Sequence, residues 1–523
     1  MTLVQPKFQS LYDIIVDHRS SLPKDDAYNL YPIYSFVNND SITPHLAYLK
    51  LCNDSSSPKT PSFLFESAKN GDTVDRYSFI GFNPRKIIKT GVPGKPETDI
   101  DPLILLEKEL NKFKQAQLPG LNMPSLNGGA VGYISYDCIK YFEPKTKRDF
   151  LADNLKLPES IIMLFDIVVA FDNLFQRFQI INNIQINSED DKNTINLKYL
   201  QASKEIQKIE KKLSDTSKLI PYPYQPQVIL NQPFVSNIGQ EGYENHVKIL
   251  KDHILKGDII QAVPSQRISR PTSLHPFNIY RHLRTVNPSP YLFYIDYVDF
   301  QIVGASPELL VKSNSKNKVV THPIAGTIKR GTTKEEDDDL ANILKTSLKD
   351  RAEHIMLVDL ARNDINRICD PLTTNVDRLL TIERFSHVMH LVSEVSGTLR
   401  QDKTRFDAFR SIFPAGTVSG APKIKAMELI SELEREKRGV YAGAVGNWGY
   451  DGKTMNTCIA LRTMVIKNGV AYLQAGGGIV FDSDPYDEYI ETMNKMKANN
   501  NTIVEAEEIW IERLKDENYN SDS

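Results

Sequence analysis

Apolar and polar residues alternate with a period of two over some stretches of this chain and with a period near 3.6 over others, which separates strands from helices. Strand-like runs are His45–Leu51, Ser62–Phe65, Tyr77–Phe82 and Gly128–Tyr136, and Ile161–Ala170 with Phe175–Ile181 reads as a hairpin. Residues 1 to about 45 are polar and turn-rich. The charged interval Asn187–Ser217 reads as one exposed helix. A proline-rich connector, Pro221–Pro233, then marks a boundary between residues 1–220 and residues 221–523.

Beyond the connector, Tyr243–Lys256 reads as a helix stopped by Gly257, and Asp258–Ser269 as a strand. Asn287–Tyr291 turns into strand Leu292–Ile295, the segment Gly304–Glu308 follows, and the chain turns again at Pro323-Ile-Ala-Gly-Thr327. Residues Ala352–Ile368 are apolar nearly all round the helical wheel, which predicts a buried helix. Glu353 shares a face there with Leu357 and Leu360. Unless that helix start frays into solvent, the carboxylate must be paired, protonated or bound to a metal. The valine-rich run Ser386–Leu399 reads as a strand that puts His387 and His390 on opposite faces, so they are not a pair of metal ligands. Gly416-Thr-Val-Ser-Gly-Ala-Pro-Lys423 opens a helix expected to run to Arg438 and stop at Gly439, with the look of an anion-binding helix start. Gly129-Ala-Val-Gly132 and Gly443-Ala-Val-Gly446 hint at a repeated strand.

Near the C-terminus, Asp451-Gly452 and Asn468-Gly469 are two-residue hairpin turns. Counting outward from them predicts a three-stranded meander that sets Tyr441, Arg462 and the run Gln474-Ala-Gly-Gly-Gly478 side by side. Arg462 alternates with Cys458, Ala460, Met464 and Ile466, so its guanidinium needs a carboxylate or phosphate, from the protein or from a ligand. Gly476, Gly477 and Gly478 allow backbone N–H groups to face an anion. Asp484 and Pro485 then start a helix. On its wheel Tyr486, Ile490, Met493 and Met496 share one face, and Glu488, Glu491 and Lys495 the other. The plainer alternative is a solvated face with a Glu491–Lys495 ion pair.

The balance of 63 Lys plus Arg against 66 Asp plus Glu leaves no global field to recruit nucleic acid or anionic membrane. No apolar run approaches the ~20 residues of a membrane span, and no basic, then apolar leader is present, so a cytoplasmic protein is expected. Cys52, Cys138, Cys369 and Cys458 form no C-x-x-C pair, which argues against a disulfide framework or a thiolate zinc site. Neither a Walker loop nor a G-x-G-x-x-G after a strand occurs.

Pro323-Ile-Ala-Gly-Thr327, Glu353-His-Ile-Met-Leu-Val-Asp-Leu-Ala-Arg-Asn-Asp364, His390, Gly416-Thr-Val-Ser-Gly-Ala-Pro422, Tyr441, Arg462, Gln474-Ala-Gly-Gly-Gly478 and Glu491 together resemble the chorismate-utilising enzymes, in particular the anthranilate synthase component I family. The resemblance is dense over residues 235–500. It implies an α+β fold of two large twisted, mainly antiparallel sheets packed together with helices outside. It implies Mg²⁺ as cofactor, with Glu353 and Glu491 as its carboxylates and Glu488 beside them. Gly326, Thr327, Tyr441, Arg462, Gly476 and Gly478 match positions that hold chorismate, with Gly477 and Lys495 in the same segment. Glu308 and His390 match the residues assigned to proton transfer, and Thr417 lies in a matching active-site loop.

In the implied reaction ammonia adds at C2 of chorismate while the C4 hydroxyl leaves, and loss of pyruvate with the C2 proton yields anthranilate. Related para-isomer enzymes, the aminodeoxychorismate synthases, carry a nucleophilic Lys where this chain has Ala325, and isochorismate synthases carry a water-activating Lys where it has Gln261. Those two activities, and an inactive ligand-sensing relative, are the alternatives. The last would be marked by loss of Glu353, Glu491 or Arg462, and none is lost. Glu66, Ser67, Pro290, Tyr291 and Leu292 match the tryptophan feedback site of regulated relatives, with Phe65 where Leu is usual. Residues 1–220 are therefore expected to form a regulatory part intertwined with a catalytic domain, 221–523. Glu66 is the candidate partner for the ammonium group of tryptophan. No cysteine lies in the glycine-flanked turn a glutaminase nucleophile needs, so a separate glutamine amidotransferase subunit, component II, is the expected partner.

Overall fold

In the computed structural model the strands described assemble into two large antiparallel sheets and a two-stranded one, Gln261–Ala262 with Gly420–Ala421. The structure describes residues 3–521 apart from 24–26, 39–40, 53–58, 68–75, 119–122, 216–222 and 385–387, with 514–521 as backbone alone. Among the described residues one sheet has eleven strands, in the order Leu30–Asn38, Arg177–Gln185, Ile167–Asp172, Tyr77–Phe82, Ser62–Glu66, Tyr291–Asp296, Gln301–Ser306, Thr463–Lys467, Val470–Gly476, Ser265–Pro271 and Val235–Ser236. The other has ten, running from Ile324–Lys329 through Val388–Thr398, Lys318–Thr321, Leu309–Ser313, Met455–Ile459, Ala444–Gly449, Gly129–Ile134 and Ser160–Phe165 to Lys86–Thr90, with Asn375–Arg384 paired to Val388–Thr398.

The sheets pack face to face over Phe63, Tyr133, Met163, Phe165, Phe293, Ile295, Val445 and Val465. Helices cover the outer faces. Tyr280, Ile206 and Met496 lie on the eleven-stranded side, and Val358, Phe409 and Met427 on the ten-stranded side. This four-layer α+β sandwich is the expected fold.

Several elements differ from the sequence reading, for physical reasons. His45–Leu51 lies in a helix, Pro44–Cys52, because a short continuous apolar run fits a buried helix as well as a strand, and Pro44 stands at its first turn. The N-terminal 45 residues contain a helix, Phe8–Ser21, and an edge strand, Leu30–Asn38. The charged interval is a helix, Lys192–Ser214, but it is amphipathic and buries Ile195, Tyr199, Ile206, Ile209 and Leu213. The connector's Pro221 lies outside the described residues, as does His387.

Pro323–Thr327 is no turn; it enters strand Ile324–Lys329, whose pairing shifts between Ala325 and Thr327 where Gly326 takes φ +68°. The helix Leu348–Asn366 buries only one side, with Ile355 44% exposed. After Gly416–Val418 the next helix spans only Lys423–Glu434, because Arg435 takes a left-handed φ of +55°. The two Gly-Ala-Val-Gly strands are antiparallel neighbours with Gly132 opposite Gly446.

The predicted meander is divided between the sheets. Both hairpin registers hold, with Met464 opposite Leu473 and Val445 opposite Cys458, yet Met455–Ile459 belongs to one sheet and Thr463–Lys467 to the other. A similar change of sheet at Asp166 splits the run Ile161–Ala170. Strand Asp258–Ser269 is likewise broken, into Gln261–Ala262 and Ser265–Pro271, around Val263-Pro264.

Candidate active site

Two corners of the sandwich meet where chains cross between sheets. Strand Gln301–Ser306 leaves the eleven-stranded sheet, passes Pro307 and Glu308, and enters the ten-stranded sheet as Leu309–Ser313; Met455–Ile459 makes the opposite crossing through Ala460–Arg462. The corners are tied by backbone hydrogen bonds, Ile459 N–H to the Glu308 carbonyl at 3.0 Å and Ala305 N–H to the Arg462 carbonyl at 3.2 Å. Arg462 bends there with φ +47°. Both side chains therefore reach one cavity of about 890 Å³, large enough for a small ligand.

Glu308 is buried and accepts a hydrogen bond from the Thr417 hydroxyl at 3.0 Å. Burial pushes its pKa up to about 8, against smaller opposing effects of Thr417, the Ile324 N–H and Arg462. It is a neutral acid at pH 7. The Arg462 guanidinium, its own pKa lowered by burial, makes no hydrogen bond or ion pair among the described residues and is left to face the cavity. His390 Nδ1 lies 2.9 Å from the Thr327 hydroxyl and 3.1 Å from the Gly326 carbonyl, which can only accept, so Nδ1 carries the proton and the ring's lone pair is on Nε2. Burial first, then the charges of Arg462 and Lys495, hold its pKa down to about 4.

At the other end, Tyr441 and Gly476 line the cavity, and the Tyr441 hydroxyl is within hydrogen-bonding reach of the Gly476 backbone. Lys495 donates to the Gly476 carbonyl at 2.9 Å and pairs with Glu491 at 2.7 Å, so the ion pair of the plainer reading is present inside the site. The glycines do not act alike. Gly477 donates its N–H to the Tyr243 hydroxyl at 3.1 Å, which corrects the expectation that all three face an anion. Gly478 is needed for close approach: a Cβ there would lie 2.3 Å from Gln261 Nε2.

Glu353 accepts from Gln261 Nε2 at 2.8 Å, and burial raises its pKa. The long C-terminal helix, Pro485–Ser521, starts as expected, with Asp484 accepting from the N–H groups of Tyr486 and Asp487. Its inward face, however, carries Glu488, Thr492 and Met496, while Tyr486 is exposed. Glu488 is thus buried rather than grouped with Glu491 on the open face. Its Oε1 accepts from Ser483 at 2.6 Å and its buried Oε2 has no hydrogen-bond partner among the described residues.

Among the described residues no three His, Cys, Asp or Glu side chains converge tightly enough to hold a metal alone. Mg²⁺ asks for less, since it keeps waters and substrate oxygens and takes one or two protein carboxylates. Glu353 and Glu491 are electrostatically coupled across the cavity, and the orphaned Glu488 Oε2 is an acceptor awaiting a cation or a water. The donor set fits that ion.

A second, smaller cavity is lined by Glu66, Ser67, Pro290, Tyr291 and Leu292, so the five feedback-site candidates come together. Asn447 and Asn456 also line it, which pattern reading missed because their strands are distant in sequence. The Glu66 carboxylate is already engaged. It accepts from Arg284 at 2.8 and 3.0 Å and from the Tyr280 hydroxyl at 2.7 Å, so holding an ammonium group would mean sharing that pair.

Comparison with known proteins agrees with this geometry. Residues 60–501 match the family described as chorismate binding enzyme. Anthranilate synthase component 1 of Saccharomyces cerevisiae is 66% identical over 97% of this chain and 98% of its own, and the probable anthranilate synthase component 1 of Schizosaccharomyces pombe is 54% identical with the same coverage. The crystal structure of anthranilate synthase component I from Streptococcus pneumoniae superposes with a TM-score of 0.68 at 35% identity, covering 88% of this chain and 98% of that one. The menaquinone-specific isochorismate synthase of Escherichia coli shares the fold at 16% identity, with a TM-score of 0.67 over 95% of this chain and 99% of that one. With a neutral carboxylic acid, a cation and a cluster of carboxylates around one cavity, and with matches over nearly its whole length, the chain belongs to the chorismate binding enzyme family.

Proposed function

We infer that the chain converts chorismate and ammonia into anthranilate and pyruvate, the activity its 66% identical relative is named for. The observation that carries this reading is the pairing of a protonated Glu308 with the uncommitted Arg462 at two joined corners of one cavity. Chorismate is a dianion, and Arg462, Lys495 and the neighbouring backbone offer its carboxylates positive partners. Glu308 gives its proton to the departing C4 hydroxyl as ammonia forms the new bond at C2. The new C2 ammonium gives up a proton that restores the Glu308 carboxyl as water departs; His390, neutral at working pH, then accepts the C2 proton as the enolpyruvyl C–O bond breaks, and the released enolate takes up a proton at its methylene carbon to become pyruvate.

Glu353 and Glu491, with Glu488 nearby on the same helix as Glu491, would hold Mg²⁺, and a bound ion would supply Lewis-acid polarisation of a substrate carboxylate. Ala325 and Gln261 favour anthranilate over 4-amino-4-deoxychorismate and isochorismate. Neither supplies an amine: Ala325 presents a methyl group to the cavity, and the Gln261 amide is engaged by Glu353.

We propose further that tryptophan inhibits by binding in the smaller cavity, and that residues 1–220 are the regulatory part and 221–523 the catalytic part of one intertwined body. The cytoplasm is the proposed compartment, where four free thiols persist. Among the described residues no helix is long and apolar enough to cross a membrane. Incubating the purified chain with chorismate, Mg²⁺ and ammonium at alkaline pH should give fluorescent anthranilate. Isochorismate or 4-amino-4-deoxychorismate as the main product overturns the assignment.

A further inference from the structure

Arg438 follows the helix that ends at Glu434 and turns inward rather than outward. Its side chain is among the largest fully buried ones in the protein. One face of the guanidinium is neutralised by Glu434, through Nε at 2.9 Å and Nη2 at 2.7 Å. The remaining donors reach two separate backbone carbonyls, Nη1 that of Val418 at 2.8 Å and Nη2 that of Val263 at 2.7 Å. Its plane lies over the Tyr136 ring, 4.5 Å from the centroid, and 5.6 Å from that of Tyr441.

Those contacts are not equivalent pieces of core. Val418 follows Thr417, which donates to Glu308. Val263 lies two residues from Gln261, which donates to Glu353. Tyr441 is itself in the cavity wall. Hydrophobic packing alone would be met by an apolar residue, and pairing with Glu434 alone would be met by Lys. Only a planar fork can serve a carboxylate and two diverging carbonyls at once.

We propose that Arg438 is a positioning residue: it fixes the Thr417 loop, the Gln261 strand and the Tyr441 ring relative to one another, and so sets the spacing between the proton-donating end and the carboxylate end of the cavity. The proposal rests on the anthranilate-forming reading above. Arg438 is not among the residues that line the cavity. Its effect is transmitted through Thr417 and Gln261.

The test is steady-state kinetics with ammonium on the wild-type chain, on Arg438→Lys, and on the apolar pair Arg438→Met/Glu434→Leu, with thermal midpoints measured in parallel. Replacing a buried ion pair by apolar residues of similar volume is often neutral for stability, but Glu434 also accepts from the Ser265 N–H at 2.7 Å and hydroxyl at 2.8 Å, so Glu434→Leu alone is measured beside the double variant to separate that loss from the loss of Arg438. Both Arg438 variants should lose about tenfold or more in kcat while KM for chorismate changes less than about threefold, because Arg462 is untouched. A cycle with Thr417→Val should show strong non-additivity, since both changes release the same contact to Glu308. Wild-type kcat in folded variants, additive effects with Thr417→Val, or failure of both variants to fold would each overturn the proposal. Absence of anthranilate from the wild-type chain would instead overturn the reading on which it rests.

Discussion

Burial acts in opposite senses on the two proton-transfer groups. It keeps the Glu308 carboxyl protonated to about pH 8 and the His390 imidazole neutral down to about pH 4. An acid works below its pKa and a base above its own, so both are competent between those limits. We expect kcat/KM for chorismate, measured at constant free ammonia, to fall on the alkaline side through an apparent pKa near that of Glu308, and Thr417→Val to move this limb upward by removing a bond that favours the carboxylate. Glu308→Gln should lower kcat by about 10²–10⁴-fold with anthranilate fluorescence as the readout. These residues were legible in the sequence as chemical types. Their protonation states were not, because each is set by burial among segments far along the chain, against the opposing hydrogen bonds from Thr417 to Glu308 and from His390 to the Gly326 carbonyl.

At the scale of elements, the proposed metal site joins two helices that sequence patterns place well but orient badly. Both were found, Leu348–Asn366 and Pro485–Ser521, yet the first is exposed along one side and the second turns Glu488 inward where a wheel drawn on apolar residues turned it out. The wheel failed because the surface that the helix covers is itself polar, with Ser483 waiting for Glu488 and Gln266 for Thr492. Hairpin counting succeeded on register for the opposite reason. A two-residue turn fixes pairing locally, whereas which sheet a strand joins is decided at corners such as Arg462 that no local rule marks. Glu491→Gln should raise the Mg²⁺ concentration for half-maximal activity by about tenfold or more, in line with the loss of one of few carboxylates around a hard cation. Mg²⁺ dependence identical to wild type would remove Glu491 from the site. In the smaller cavity, Ser67→Arg should relieve tryptophan inhibition while leaving turnover with ammonium intact, since a guanidinium there competes for the cavity that Ser67, Tyr291 and Asn456 line. Unchanged inhibition would place the regulator elsewhere.

Across the whole molecule, residues 1–220 and residues 221–523 both contribute strands to both sheets, and Ser62–Glu66 of the first pairs directly with Tyr291–Asp296 of the second. That strand runs on through its neighbour into Ser306 and the Glu308 corner, so the smaller cavity and the active site share a continuous sheet. Such a body has the chemistry for ammonia but not for releasing it. At neutral pH most ammonia is protonated and has no lone pair to attack with, and glutamine hydrolysis by the amidotransferase route needs an activated cysteine thiolate. Burial pushes the thiols of Cys52, Cys138, Cys369 and Cys458 all upward, the last two to about 12, and Cys138, Cys369 and Cys458 are buried in the core. None is a thiolate at working pH. The purified chain is therefore expected to form anthranilate from ammonium and none from glutamine, and to gain glutamine-dependent synthesis when an amidotransferase subunit is added. Activity with both nitrogen sources, followed with and without that subunit, checks this, and efficient use of glutamine by this chain alone would refute the need for a partner.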